Sequence, residues 1–174
     1  MLFFLILDLF VTSIEDSNIS ETSSYLDLGP LYGSCQTDQD AVRTFIDGKL
    51  KPDCFSQPRV LGFPPGVSAF LICFNRFHNY VVGELAAINE AGRFTMPVKK
   101  NIEAMVRATM PNATEEQIVA AVESKYSAAL GKRDNDLFQT GRLYSSSKSL
   151  LIKGLPVDYT LTLCSMTTSV QFLT

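Results

Sequence analysis

Residues 66–89 read GVSAFLICFNRFHNYVVGELAAIN, and their spacing decides the fold. Val67, Phe70, Leu71, Phe74, Phe77, Val81, Leu85 and Ile88 recur at helical intervals. Ala69, Ile72, Cys73, Val82 and Ala86 widen that stripe, so the segment reads as a helix buried on most of its sides. Such a helix needs more cover than the few other elements of the chain supply. The expected fold is therefore mainly α, an incomplete slice of a larger helical body, with irregular loops and little strand.

Upstream of this helix, residues 49–65 are too rich in proline to hold a long regular element. A connection of that length usually lines a site or wraps a core. Asp47-Gly48 is a turn signal, and Thr37 is a candidate N-cap, with Asp38 and Asp40 in the first turn of a helix reaching about Phe45. Residues 25–33 mix apolar residues with turn formers and end at Gly33. Downstream, a short helix over Lys99 to Thr109 is stopped by Pro111. Thr114-Glu115-Glu116-Gln117 is a capping box opening a second helix that Gly131 should close. Asp134 or Asn135 is then positioned to cap a further helix through Leu137, Phe138 and Leu143. From Tyr144 the composition changes, and 144–174 reads as a divergent tail of unassigned structure.

Composition excludes several functions. The 174 residues are 46% hydrophobic and 19% charged, with a net charge of −3, so no basic field exists to hold nucleic acid. Four cysteines without a CxxC, and a single histidine, do not supply a zinc site, and the sparse cysteines read as free thiols in a reducing compartment. The apolar opening MLFFLILDLF lacks a basic flank, carries Asp8, and is too short to span a bilayer. It reads as a core helix, and the expected location is intracellular, cytoplasmic or peripheral to lipid surfaces, without a transmembrane span.

Four strings then stand in order: SSYLDLGPLYG (23–33), RTFIDGKLK (43–51), FNRFHN (74–79) and DLFQTGRL (136–143). Together they resemble the haem peroxidase/cyclooxygenase superfamily, and within it the fungal fatty-acid dioxygenases, the linoleate diol synthases and psi-factor-producing oxygenases. The resemblance implies a partial haem-peroxidase-like domain over 1–143, with 98–132 an insertion-like helical segment between two family helices. It also implies a parent activity: haem-dependent dioxygenation of a fatty acid such as linoleate, giving hydroperoxides used as oxylipin signals.

The same resemblance locates what the chemistry requires. A distal histidine should act as acid and base on the bound peroxide, yet Leu7 stands at its position in the stretch Ile6 to Ser13. The radical tyrosine and proximal histidine belong downstream of the Gln139-Thr140-Gly141-Arg142 stretch, where no histidine follows. No catalytic or haem-binding residue is therefore assigned, haem is not expected to be retained, and the chain is expected to be inactive alone. Asp8, Ser23, Tyr25 and Asp27 resemble the calcium loop of some peroxidases, although Gly29 replaces a hydroxyl residue that the loop uses. Arg76, His78 and Asn79 match a packing motif and are expected to be structural. Two other readings stay open: a non-catalytic remnant that associates with itself, a protein or lipid through its uncovered apolar helix, and a calcium-binding structural module.

Overall fold

The computed structural model describes residues 27–111 and 113–153. Among them the structure is helical, with no strand beyond one isolated bridge between Arg43 and Leu50. Its order is a single turn α1 (Gly29–Tyr32), α2 (Gln36–Val42), a 3-10 turn at Pro58–Gly62, α3 (Pro65–Ile88), a second 3-10 turn at Glu90–Gly92, α4 (Lys99–Thr109) and α5 (Glu115–Lys153). α3 packs along α5, and α4 packs against the N-terminal part of α5.

The 66–89 segment forms the helix that its periodicity predicts, from Pro65 to Ile88. Proline suits the first helical position because no intrahelical partner is needed there. Asn89 ends it in the left-handed conformation, and its side chain then holds the Phe94 amide at 2.7 Å and the Thr95 hydroxyl at 2.9 Å. The buried stripe is narrower than expected: Val67, Leu71, Phe74, Asn75, His78 and Val82 are buried, while Tyr80 and Ile88 are exposed. The central core joins Leu71, Phe74 and Val67 to Leu28, Leu31, Tyr32, Val42, Leu50, Val60 and Phe138. Each such side chain taken out of water contributes on the order of 2 kcal/mol.

Two boundaries differ from the sequence reading. α2 starts after Cys35 without a side-chain cap, places Thr37 inside its first turn, and ends at Val42. It stops there because Arg43 turns extended to pair with Leu50, closing a hairpin through Thr44 N–H to Lys49 O (3.0 Å) and Lys51 N–H to Val42 O (2.8 Å). The second difference is larger. Gly131 does not close a helix, and neither Asp134 nor Asn135 opens one, because α5 runs unbroken for 39 residues. A mid-helix glycine costs about 1 kcal/mol. Burial of Leu137 and Phe138 one to two turns later offsets that cost, and the Asp134 carboxylate serves another part of the chain. α5 also continues past Tyr144 to Lys153, so the first ten residues of the expected tail are helix.

The capping box forms in half, with the Thr114 amide donating to Gln117 Oε1 at 3.3 Å. Cys35, Cys54 and Cys73 are thiols; Cys164 lies outside the described residues. Among the described residues, no helix is long and apolar enough to cross a membrane.

Candidate functional site: a polar joint around His78

The hairpin and the chain that follows it, residues 43–54, form a strap laid across α3 and α5. Glycine is required at its tip. Gly48 has φ +69°, and a Cβ there would lie 2.6 Å from the Phe138 backbone nitrogen. The turn thus touches the α5 backbone itself, a contact that only glycine permits.

Four residues of one α3 motif receive this strap. His78 is fully buried, with Nε2 3.0 Å from Gly48 O and Nδ1 2.9 Å from Tyr32 Oη. A carbonyl only accepts, so Nε2 carries the proton and donates to Gly48, while the Tyr32 hydroxyl donates to the bare Nδ1. Asn79 holds Leu50 in both directions, accepting from its amide at 2.8 Å and donating to its carbonyl at 3.1 Å. This replaces the ladder bonds that a neighbouring strand would give. Asn75 donates to the carbonyls of Lys51 (3.0 Å) and Cys54 (2.9 Å), and Arg76 makes two 2.8 Å bonds to Asp53 at the exposed edge.

α5 closes the joint from the other side. Asp134 accepts from the Gly48 amide at 2.5 Å and from Arg43 at 2.7 Å, both side chains of that ion pair being buried. The Arg43 guanidinium lies 4.2 Å from the centre of the Phe138 ring, and cations favour such ring faces. Gly141 sits against the imidazole, where a Cβ would come 2.9 Å from His78 Cε1 and collide with Val82. Arg142 lies over the Tyr32 ring and donates to Asp27 Oδ2 at 2.8 Å. Arg133 ties Asp47 to the Phe94 carbonyl.

Burial governs the ionisation of these groups. It pulls His78 down from 6.5 to about 4, with the nearby Arg43 charge adding to the effect and the carbonyls of Gly48 and Gly141 opposing it. Burial likewise pushes the Tyr32 phenol above its usual range and raises the Cys54 thiol. At neutral pH the joint therefore holds a neutral imidazole, a protonated phenol and a protonated thiol. The imidazole has no nitrogen left for a metal, because one carries hydrogen and the other accepts it.

The structure brings Arg76, His78 and Asn79 together on the strap. Of the calcium-loop residues only Asp27 is described; Leu7, Asp8, Ser23 and Tyr25 lie outside the described residues. A cation at the Asp27 carboxylate would have to compete with Arg142. No group of three histidine, cysteine or acidic side chains suited to a metal exists among the described residues. The sequence reading missed Asp134, Arg43, Tyr32, Asn75 and Gly141 as members of the joint. One signal for Gly141 was present: a glycine inside an apolar helical run that caps nothing points to close packing.

No family model matches the chain, and no solved structure matches it. Psi-producing oxygenase A of Emericella nidulans is 54% identical over 136 residues, which are 78% of this chain and 10% of that protein. Psi-producing oxygenase A of Aspergillus fumigatus is 51% identical over 159 residues, 91% of this chain and 12% of its own length. Linoleate diol synthase of Gaeumannomyces graminis is 50% identical over 159 residues, 91% and 11% of the two chains. The chain thus spans about a tenth of the length of these relatives. With identity at this level over most of its residues, the chain belongs to the fungal fatty-acid dioxygenases of the haem peroxidase superfamily, and corresponds to one segment of them.

Proposed function

We propose that this segment is a scaffold of a haem-dependent fatty-acid dioxygenase of oxylipin formation, acting inside the cell or at a lipid surface, and that it performs no oxygenation alone. The observation that carries this reading is the engagement of the joint's polar groups with one another. Arg76, His78 and Asn79 act structurally: they fix the strap to α3. The chain's single histidine has both nitrogens occupied, and Leu7 offers no proton in the place where the family carries a distal histidine. The described residues accordingly do not fit a histidine-ligated haem, and no step of chemistry is assigned through one.

The test has two arms. Haem added to the full chain should give no Soret band, and linoleate with oxygen should give no hydroperoxide; turnover by the chain alone overturns its inactivity. In the second arm, residues 27–143 replace the matching segment of the Emericella nidulans enzyme. The chimaera should retain its haem band, and Asn79→Ala in it should lower the melting temperature while leaving the position of oxygenation unchanged. Loss of the haem band in a folded chimaera would end the scaffold reading.

Self-association is favoured by one separate observation: Leu61, Ile88 and Leu143 are each about 70% exposed. Sedimentation of the full chain should then show a concentration-dependent oligomer, and a monomer at all concentrations rejects this reading.

A further inference from the structure

Asp47-Gly48 is the chain's single Asp-Gly pair. In a loose chain such a pair is chemically unstable, because glycine has no side chain to hinder attack of its amide nitrogen on the neighbouring carboxyl group. The Gly48 nitrogen would bond to Cγ of the protonated Asp47 carboxyl, whose hydroxyl would leave as water with the amide proton. Water then reopens the five-membered succinimide. Cleavage of the bond from nitrogen to the former main-chain carbonyl carbon leaves isoaspartate, with the chain running through Cβ and Cγ and the old carbonyl now a free carboxylate. One water is lost and one regained, and nothing is oxidised or reduced.

The fold engages both residues of this pair. The Lys49 amide closes the turn on Ile46 O at 3.1 Å, with Asp47 and Gly48 both left-handed at φ +53° and +69°, the form an Asp-Gly hairpin turn takes. The Gly48 amide donates to Asp134 at 2.5 Å, and its carbonyl accepts from His78 Nε2 at 3.0 Å. Its Cα has no room even for a methyl group beside Leu137 and Phe138. The Asp47 carboxylate is held by Arg133, which is itself bound to the Phe94 carbonyl. Cyclisation needs the amide nitrogen to leave its acceptor and Cγ to swing back over its own main chain. In the joint neither group is free. Asp47 is nevertheless half exposed, so water reaches the turn as soon as these contacts part.

We propose that Asp47 is a latent modification site: the joint suppresses its isomerisation, and opening of the strap exposes it to conversion to isoaspartate. The product would also keep the strap open. Isoaspartate inserts a methylene into the chain just ahead of Gly48, and a turn packed this closely on the α5 backbone cannot absorb it. The bonds from Gly48 to Asp134 and His78 then do not re-form. The same contacts that specify the geometry of the joint thus set the chemical lifetime of the segment.

The test compares rates in warm neutral buffer. The full chain and a peptide of residues 43–52 are aged together in water carrying labelled oxygen. Electron-transfer fragmentation of digests counts isoaspartate at position 47, and label uptake marks each ring opening. The folded chain should convert at least about tenfold more slowly than the peptide, as for a site reached only through a minor open form. Asp134→Ala, which frees the Gly48 amide, should bring the rate towards that of the peptide. Arg133→Gln, which frees the Asp47 carboxylate and leaves the Arg43–Asp134 pair in place, should raise it less. A native rate equal to the peptide's overturns the proposal. So does a faster one, the result expected if the Asp134 carboxylate acts as a base toward the Gly48 amide. A folded Asp134→Ala chain that ages no faster than the unaltered one also overturns it. If that variant does not fold, the unaltered chain decides. In urea below its unfolding transition, isomerisation of Asp47 and exchange of the Gly48 amide should quicken by the same factor, and isomerisation that stays still while exchange quickens rejects the coupling.

Discussion

The two halves of α5 are held in opposite ways. Its C-terminal half, from Asp134 onward, is fixed by specific buried contacts: Asp134 with Arg43 and Gly48, Phe138 under the Arg43 guanidinium, and Gly141 against His78. The N-terminal half rests on α4 through a small apolar cluster of Val106, Ile118 and Val122. Around that cluster the ion pairs Lys99–Glu123, Arg107–Glu103 and Arg107–Glu115 lie in solvent. Apolar contact is tolerant of shape, whereas each buried hydrogen bond accepts one geometry. The strap end of α5 is therefore the part that specifies a single arrangement. The residues 98–132 that read as an insertion contain α4 and the permissive half of the same helix.

The largest effect should come from the joint between Gly48 and Asp134. Asp134→Ala leaves Arg43 buried without its counter-charge and the Gly48 amide without an acceptor. Removing one partner of a buried pair typically costs about 4 kcal/mol. Gly48→Ala attacks the same contact from the other side, by collision with the α5 backbone, and should be of similar size. Glu123→Ala, on α5 facing Lys99 of α4, should leave the urea midpoint unchanged, since exposed pairs contribute little. Midpoints and slopes from urea denaturation of the three variants test the contrast. Equal losses for Asp134→Ala and Glu123→Ala would remove the distinction between the two halves.

Acid should sharpen the same contrast, with a somewhat smaller effect. His78 binds a proton near 6.5 in the unfolded chain and near 4 in the native one. Between those values the unfolded state holds more protons, so stability falls as pH drops from 6.5 towards 4, by up to about 3 kcal/mol. The exposed Asp53 carboxyl, held low by Arg76, contributes only below its ordinary value of 3.8, outside this window. Unfolding free energies in His78→Gln should lose most of the slope in that range. Amide exchange should quicken first at Tyr32 and Gly48, and later in α4; protection lost first in α4 would contradict the assignment.

Much of this architecture was readable, for reasons that also mark where reading stopped. α3 announced itself because period and length agree over 24 residues, and the bond between Thr114 and Gln117 because it is local in sequence. The Asp47-Gly48 turn was equally local. The joint was not, since Arg43 and Asp134 are 91 positions apart and Tyr32 and His78 are 46 apart. A sequence shows that such residues are polar, and not that they meet. Asp134 illustrates the error best. Its place just before an apolar run has the look of a helix cap, but the carboxylate reaches across to a distant turn. The family strings survive this limit because they carry the joint's members as fixed neighbours: Arg43 and Gly48 in one, Asn75, His78 and Asn79 in another, Gly141 and Arg142 in a third.

A small effect of the opposite sign is expected where the two halves of α5 meet. Gly131 stands in the helix interior, exposed, and a Cβ added there meets nothing within 4 Å. Alanine is favoured over glycine in such a position by about 0.5–1 kcal/mol, through backbone entropy removed from the unfolded chain. Gly131→Ala should therefore raise the urea midpoint slightly without changing the slope, and its circular dichroism should show no loss of helix. Ten residues on, Gly141→Ala has no such room and should destabilise, because its Cβ enters the space of His78 and Val82. Two glycines of one helix, treated alike, should thus move stability in opposite directions. If Gly131→Ala also destabilises, the helix does not pass straight through residue 131, and the permissive half is joined to the specified half by a bend that glycine makes possible.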